Sequence, residues 1–199
     1  DSIKRHLLSA LERTFVERGQ EIACLIMEPA MMNIGIVVPE PGYLPRVREL
    51  CTKHGIVYIA DEGMAGFGRT GDWFAYEHFG VEPDLLAFGK KTQVCGVCAS
   101  RRIDDVDSAF KVSSRINSTW GGNLVDMLRC QRYLEIMAEE KLLENATARG
   151  AELLAGLEVL VKEFPEHVMN ARGKGLMCAF DLRDGRLRDQ IISNAAAEG

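Results

Sequence analysis

Long apolar runs are missing from this 199-residue chain, and none approaches the roughly 20 residues that a helix needs to cross a bilayer, which argues against a membrane span within it. Excess positive charge is missing as well. Lys and Arg number 24 against 29 Asp and Glu, a formal net charge of -5, so electrostatics gives no reason to expect nucleic acid or an anionic membrane as partner. Histidine is scarce, and His6, His54, His78 and His167 show no ligand spacing. Cysteines stand at 24, 51, 95, 98, 130 and 178, mostly inside apolar runs, where they read as buried, reduced thiols suited to a cytoplasmic protein. Cys95 and Cys98 have the spacing of a redox pair. No helix opens on them, however, and no second Cys or His pair completes a metal site, so we expect no metal. Internal repeats are absent. Asp1 at the start and a helix-like Ala195-Ala196-Ala197-Glu198-Gly199 at the end lead us to expect a fragment of a longer protein.

What remains is a sequence with 47% hydrophobic and 27% charged residues, enough to bury a sizeable core. Ile3, Leu7, Leu8, Leu11 and Phe15 recur at helical spacing, with Gly19 placed as a stop. Residues 22–27 read as a buried strand ending at Glu28-Pro29, and residues 30–42 as a loop rich in Pro, Gly and Met. Tyr43 to His54 is predicted helical, with Gly55 as its stop. Strands are predicted over 56–60, 85–88 and 94–99, with a short helix over 72–80. From Asn123 the pattern changes to long helices, the first carrying the stripe Leu124, Met127, Leu128, Tyr133, Leu134, Ile136 and Met137, the second running over 142–164 to Pro165. A last strand is predicted over 175–180. The alternation implies an α/β fold, a doubly wound sheet domain over 1–140 and the start of a smaller α+β domain over 141–199.

Two apolar runs end in charged groups of opposite sign. Ile59-Ala60 leads into Asp61, and Leu85-Leu86-Ala87-Phe88-Gly89 leads into Lys90. If both runs are buried parallel strands, the two groups emerge at the carboxyl edge of one sheet, where open α/β sheets bind ligands. A carboxylate and an amine there suit a pyridine cofactor bearing an aldehyde, the acid keeping the ring nitrogen protonated and the amine forming a Schiff base. Gly66-Phe67-Gly68-Arg69-Thr70-Gly71 fits the G-x-G-x-x-G pattern of dinucleotide sites. That fingerprint needs its first glycine at a strand-to-helix turn, and here Asp61 to Ala65 intervene, so we read a tight turn, with an oxidoreductase module as the competing interpretation.

Asp61-Glu62, Gly66 to Gly71, Phe74-Ala75, Gly80-Val81-Glu82-Pro83-Asp84 and Gly89-Lys90 together resemble the signature of the class III pyridoxal-phosphate-dependent aminotransferases. Residues 88–96, 114–123 and 171–180 are similar to the lysine 6-transaminase branch of that family. The resemblance implies the type I fold of pyridoxal-phosphate-dependent transferases, a mostly parallel sheet flanked by helices. It implies that Asp61 pairs with the pyridine nitrogen and that Lys90 is the Schiff-base lysine, with Lys91 as the competitor for that role. It further implies that Thr119 reaches across a homodimer interface to the phosphate of the partner's cofactor, assisted by Ser118, and that Gly63 and Met64 flank the ring. Glu28 and Asn117 are the candidate substrate-side residues. The implied reaction moves a terminal amine to a 2-oxo acid, with L-lysine and 2-oxoglutarate as the leading pair.

Several positions depart from the family pattern. Gly63 stands where a branched apolar residue is usual, and Met64-Ala65 replaces the Gln-Thr of lysine 6-transaminases. Residues 30–39 are closer to glutamate-1-semialdehyde aminomutase-like members. Another omega-aminotransferase, or such an aminomutase, is therefore the alternative within the family, and a noncatalytic relative the alternative outside it. The family's main phosphate loop, ring-stacking aromatic and carboxylate-binding arginine have no counterpart here, so we expect the isolated chain to hold the cofactor poorly.

Overall fold

The computed structural model describes residues 2–116, 119 and 121–198. Four strands form one sheet in the order β1 (Cys24–Met27), β2 (Val57–Asp61), β3 (Leu85–Phe88) and β4 (Gly96–Ala99). The first three run parallel, with Met27 opposite Ala60 and Asp61 opposite Ala87, whereas β4 returns antiparallel along β3. The parallel register places the carboxyl ends of β1, β2 and β3 at one edge.

Helices α1 (Ser2–Arg18) and α2 (Tyr43–His54) cover one face of this sheet. Leu44, Val47, Leu50 and Cys51 recur at helical spacing along α2 and are fully buried, packing with Phe15, Ile56, Tyr58 and Val81. Gly55 ends α2 in the left-handed region at φ 71°, a conformation that costs glycine nothing. Because side chains alternate along a strand, buried Tyr58 and Ala60 point to the helices while Val57, Ile59 and Asp61 share the opposite, half-buried face.

Asp84 locks the start of β3. Its buried carboxylate accepts two hydrogen bonds from Arg48 of α2 (2.8 and 3.1 Å), one from the Tyr58 N–H (2.8 Å) and one from Arg102 (3.1 Å). Burial alone would raise this carboxyl, but the Arg48 and Tyr58 hydrogen bonds with the Arg48 and Arg102 charges outweigh it and hold it below the usual carboxylate range.

Two long helices follow, α3 (Leu124–Glu139) and α4 (Leu142–Glu163), joined through Lys141 in the left-handed region. Asn123 caps α3 by accepting from the Val125 N–H. A hairpin of β5 (Val168–Lys174) and β6 (Met177–Leu182) packs on α4, and α5 (Gly185–Glu198) closes the chain. The hairpin reaches the sheet domain through its turn, where the Leu176 N–H donates to the Arg69 carbonyl and Met177 joins Ala30, Ala65 and Ala75 in a second apolar cluster.

Five sequence expectations need correction. The first strand is not buried: Cys24 is exposed and Ile26 is 59% exposed, because Leu25 and Met27 pack into the core under α1 and α2 while Cys24 and Ile26 alternate to the opposite face, which the described residues leave uncovered at β1. Of the cysteines only Cys51 is buried, with its thiol pushed up to about 11 by that burial, while Cys24, Cys95 and Cys98 are exposed. The helix expected over 72–80 shrinks to the 3-10 turn Ala75–Phe79, since Asp72 and Trp73 instead use their carbonyls to accept from Gly68 and Phe67. The apolar stripe on α3 is largely exposed. The last predicted strand begins two residues late, because Gly175 and Leu176 form the hairpin turn.

Candidate active site

Asp61 ends β2, and Lys90 follows β3 by two residues, so the ladder delivers both to the carboxyl edge. Asp61 turns its carboxylate back onto its own loop, where Oδ1 accepts from the Gly63 N–H at 3.0 Å. Lys90 adopts the left-handed region at φ 60°, a conformation costing a non-glycine residue about 1 kcal/mol, and it opens the 3-10 turn Lys90–Thr92. Gly63 is where the two groups meet. A Cβ at that position would lie 3.2 Å from Asp61 Oδ1 and 3.3 Å from Lys90 Nζ. Carboxylate and amine thus flank one point beside Gly63, where a side chain would need these two groups to give by a few tenths of an ångström.

Each of these residues is followed by a second ionisable group that turns inward. Glu62 is fully buried; its Oε1 accepts from the Tyr76 N–H at 2.9 Å, while Oε2 has no hydrogen-bond partner among the described residues. Burial pushes its carboxyl up to about 7, against the lowering effect of its backbone hydrogen bonds. Lys91 is half-buried and donates from Nζ to the Met64 carbonyl at 2.9 Å. Burial, followed by the charge of Arg69, brings its amine down to about 8. The doublets Asp61-Glu62 and Lys90-Lys91 were visible in the sequence. Which member of each turns inward was not.

The loop between strand and turn explains its own glycines. Gly66 donates its N–H to the Glu62 carbonyl at 2.9 Å, and a Cβ there would come within 2.8 Å of that oxygen. No helix opens on the Gly66 to Gly71 run, which instead folds back on residues 72–73 and packs against α3 and α4, so the dinucleotide reading fails on geometry.

Comparison with known proteins decides the family. The class-III aminotransferase family model matches residues 1–199. The chain belongs to this family. Among relatives, the L-lysine-epsilon aminotransferase of Mycobacterium tuberculosis strain H37Rv is 44% identical over 192 residues, covering 96% of this chain and 43% of that protein. The L-lysine-epsilon aminotransferase of Amycolatopsis lactamdurans is 45% identical over 190 residues, covering 95% and 42%. Among solved structures, a lysine aminotransferase from M. tuberculosis in the internal aldimine form aligns with a TM-score of 0.92 at 44% identity, covering 96% of this chain and 44% of that one. An (S)-enantioselective omega-transaminase from Thermomicrobium roseum aligns with a TM-score of 0.82 at 36% identity, covering 94% and 43%. The chain therefore spans less than half the length of the relatives it matches. Its fold is the α/β fold of pyridoxal-phosphate-dependent aminotransferases.

For a class-III aminotransferase the donor set fits the cofactor. An anion for a protonated ring nitrogen and a primary amine for an aldehyde converge on Gly63, a gap that a Cβ would fill. Met64 is half-buried beside them and offers its carbonyl to Lys91. Glu28 lies at the same edge, one residue past Met27, and its Oε2 accepts from the Met32 N–H at 3.1 Å, which organises the loop that follows. Thr119 sits in an exposed turn ahead of α3, while Asn117 and Ser118 lie outside the described residues. Among the described residues no group of three His, Cys, Asp or Glu side chains could hold a metal ion.

Proposed function

We propose that the chain carries the cofactor-holding core of a pyridoxal-phosphate-dependent transaminase that moves a terminal amine to a 2-oxo acid, with L-lysine as donor and 2-oxoglutarate as acceptor. The convergence of Asp61 Oδ1 and Lys90 Nζ on Gly63 carries this reading. Bound pyridoxal phosphate supplies an aldehyde for amine exchange and a ring that withdraws electrons. Asp61 holds a proton on the ring nitrogen by its negative charge. Lys90 would hold the cofactor through Nζ and would serve as base and then acid for the proton at the substrate carbon. Its amine sits on an exposed residue at the mouth of the edge, so it can swing between these tasks without breaking a buried contact. Lys91, whose amine is engaged by Met64, is the poorer candidate for the same work.

The reading extends to a homodimer in which Thr119, with Ser118, reaches the phosphate of the partner's cofactor, and in which Glu28 and Asn117 face the substrate. The exposed turn at Thr119 supports that role. We divide the chain into part of a large domain over 1–140 and the start of a small domain over 141–199, supported by two separate sheets and the left-handed Lys141 between α3 and α4. Six free thiols support a reducing, cytoplasmic setting. Alternative donors remain in play on one observation: Met64-Ala65 presents no side-chain hydrogen-bonding group beside Lys90, and relatives also include rat ornithine aminotransferase at 38% identity. An amine-donor panel in a protein carrying this chain tests the assignment. L-lysine with 2-oxoglutarate is expected to react; inert lysine alongside reactive ornithine or 4-aminobutyrate would overturn the donor and keep the class.

A further inference from the structure

Lys91 is the least expected contact beside the site. It lines an open cavity of about 610 Å3 together with Arg69, Met32, Met137, Leu176 and Met177, a predominantly apolar wall containing two cations and no acid. A methionine would fill that wall without desolvating a charge, so the amine must be there for what it touches. It touches one thing in particular. The ladder between β2 and β3 ends with Asp61 opposite Ala87 and the Glu62 N–H donating to the Ala87 carbonyl at 2.9 Å. Beyond that point the turn after Asp61 and the turn holding Lys90 leave the sheet separately. Among the described residues, Lys91 Nζ to the Met64 carbonyl is the hydrogen bond that crosses between them.

We propose that Lys91 is a positioning residue, its amine fastening the Met64 carbonyl so that Asp61 and Lys90 keep their separation across Gly63. This rests on reading Asp61 and Lys90 as the cofactor pair. Met64 follows Gly63 directly, and Lys91 follows Lys90 directly, so a clamp between the second members of these pairs fixes the first members at one remove. A neutral side chain at 91 would release the 63–66 turn, and the Gly63 N–H that holds Asp61 Oδ1 would loosen with it.

Hydrogen exchange of the Gly63 and Gly66 amides reads the clamp without cofactor, and borohydride trapping with pyridoxal phosphate reads its effect on the pair. In Lys91→Met, exchange at those amides is expected to rise about tenfold, and the pyridoxal phosphate needed for half-maximal label at Lys90 to rise about tenfold, the loss typical of one charge-assisted hydrogen bond. Lys91→Arg, which can still donate to the Met64 carbonyl, is expected to restore both to within about threefold. Should Lys91→Met not fold, Lys91→Leu, which also lacks a donor, takes its place with the same expectations. Unchanged exchange in the neutral variant, or an arginine variant as loose as the methionine one, would overturn the proposal. Wild-type exchange as expected but no label on any lysine, in a protein carrying this chain with the rest of its relatives' length, overturns the cofactor reading while the clamp stands. Label on Lys91 overturns both.

Discussion

Glu62 makes the stability of this protein depend on pH in a direction opposite to that of ordinary carboxylates. Its side chain is fully buried, one oxygen held by the Tyr76 N–H and the other without a partner, so ionisation places a charge where only half of it is solvated by hydrogen bonds. The carboxyl rises from 4.5 to about 7 on folding. A raised carboxyl binds its proton more tightly in the folded state, so the contribution is fully present below pH 4.5 and is lost as pH climbs through about 7. At about 1.4 kcal/mol per pH unit, that span amounts to about 3 kcal/mol. Lys91 does not blur the window: it is protonated in both states below about 8, and its own effect runs the other way at higher pH. Glu62→Gln keeps an acceptor for Tyr76 and removes the titration. Urea denaturation of both proteins between pH 5 and 8 should show the wild type losing about 2.5 kcal/mol relative to the variant, the rest being lost below pH 5. Equal pH dependence in the two would refute the claim that this carboxyl is buried and half-satisfied.

Two further perturbations probe the frame around the site. Asp84→Asn is expected to cost about 2 kcal/mol at neutral pH by urea denaturation, less than a fully buried ion pair because Arg102 is 43% exposed and can rehydrate. In the wild type the same stabilisation is present above the ordinary value of 3.8 and is lost as pH falls through the still lower folded value. Gly150 and Gly156 lie on the same helix with opposite expectations. A Cβ at Gly150 collides with the Gly175 backbone of the hairpin turn, so Gly150→Ala should destabilise by about 1–3 kcal/mol, whereas Gly156 has nothing within 4 Å and Gly156→Ala should stabilise by about 0.5–1 kcal/mol, both read by thermal or urea melts.

Residues whose role follows from local pattern were legible in the sequence. The helix predicted over Tyr43 to His54 with its Gly55 stop is α2 to the residue, and the apolar strands leading to Asp61 and Lys90 bring both groups to one edge of the sheet. What escaped depends on neighbours distant in the chain. Strand β5 reads Val-Met-Asn-Ala-Arg-Gly-Lys, without alternation, and exists because β6 pairs with it and α4 packs on it. Leu124, at 80% exposure, and Leu128, at 68%, belong to an apolar stripe that the described residues leave uncovered, although periodicity alone assigns it to a core. Glu62 and Lys91 are charged residues that periodicity assigns to the surface. They turn inward because the Tyr76 N–H and the Met64 carbonyl, 14 and 27 residues away, face them.

The central claim is that Lys90, opposed by Asp61 across Gly63, is the amine that holds pyridoxal phosphate. Borohydride reduction of a protein carrying this chain with the cofactor bound, followed by peptide mapping, tests it most directly. The pyridoxyl label is expected on Lys90, and it is expected to disappear in Lys90→Ala without transfer to Lys91. A label on Lys91, or on no lysine of the 88–92 segment, would contradict it.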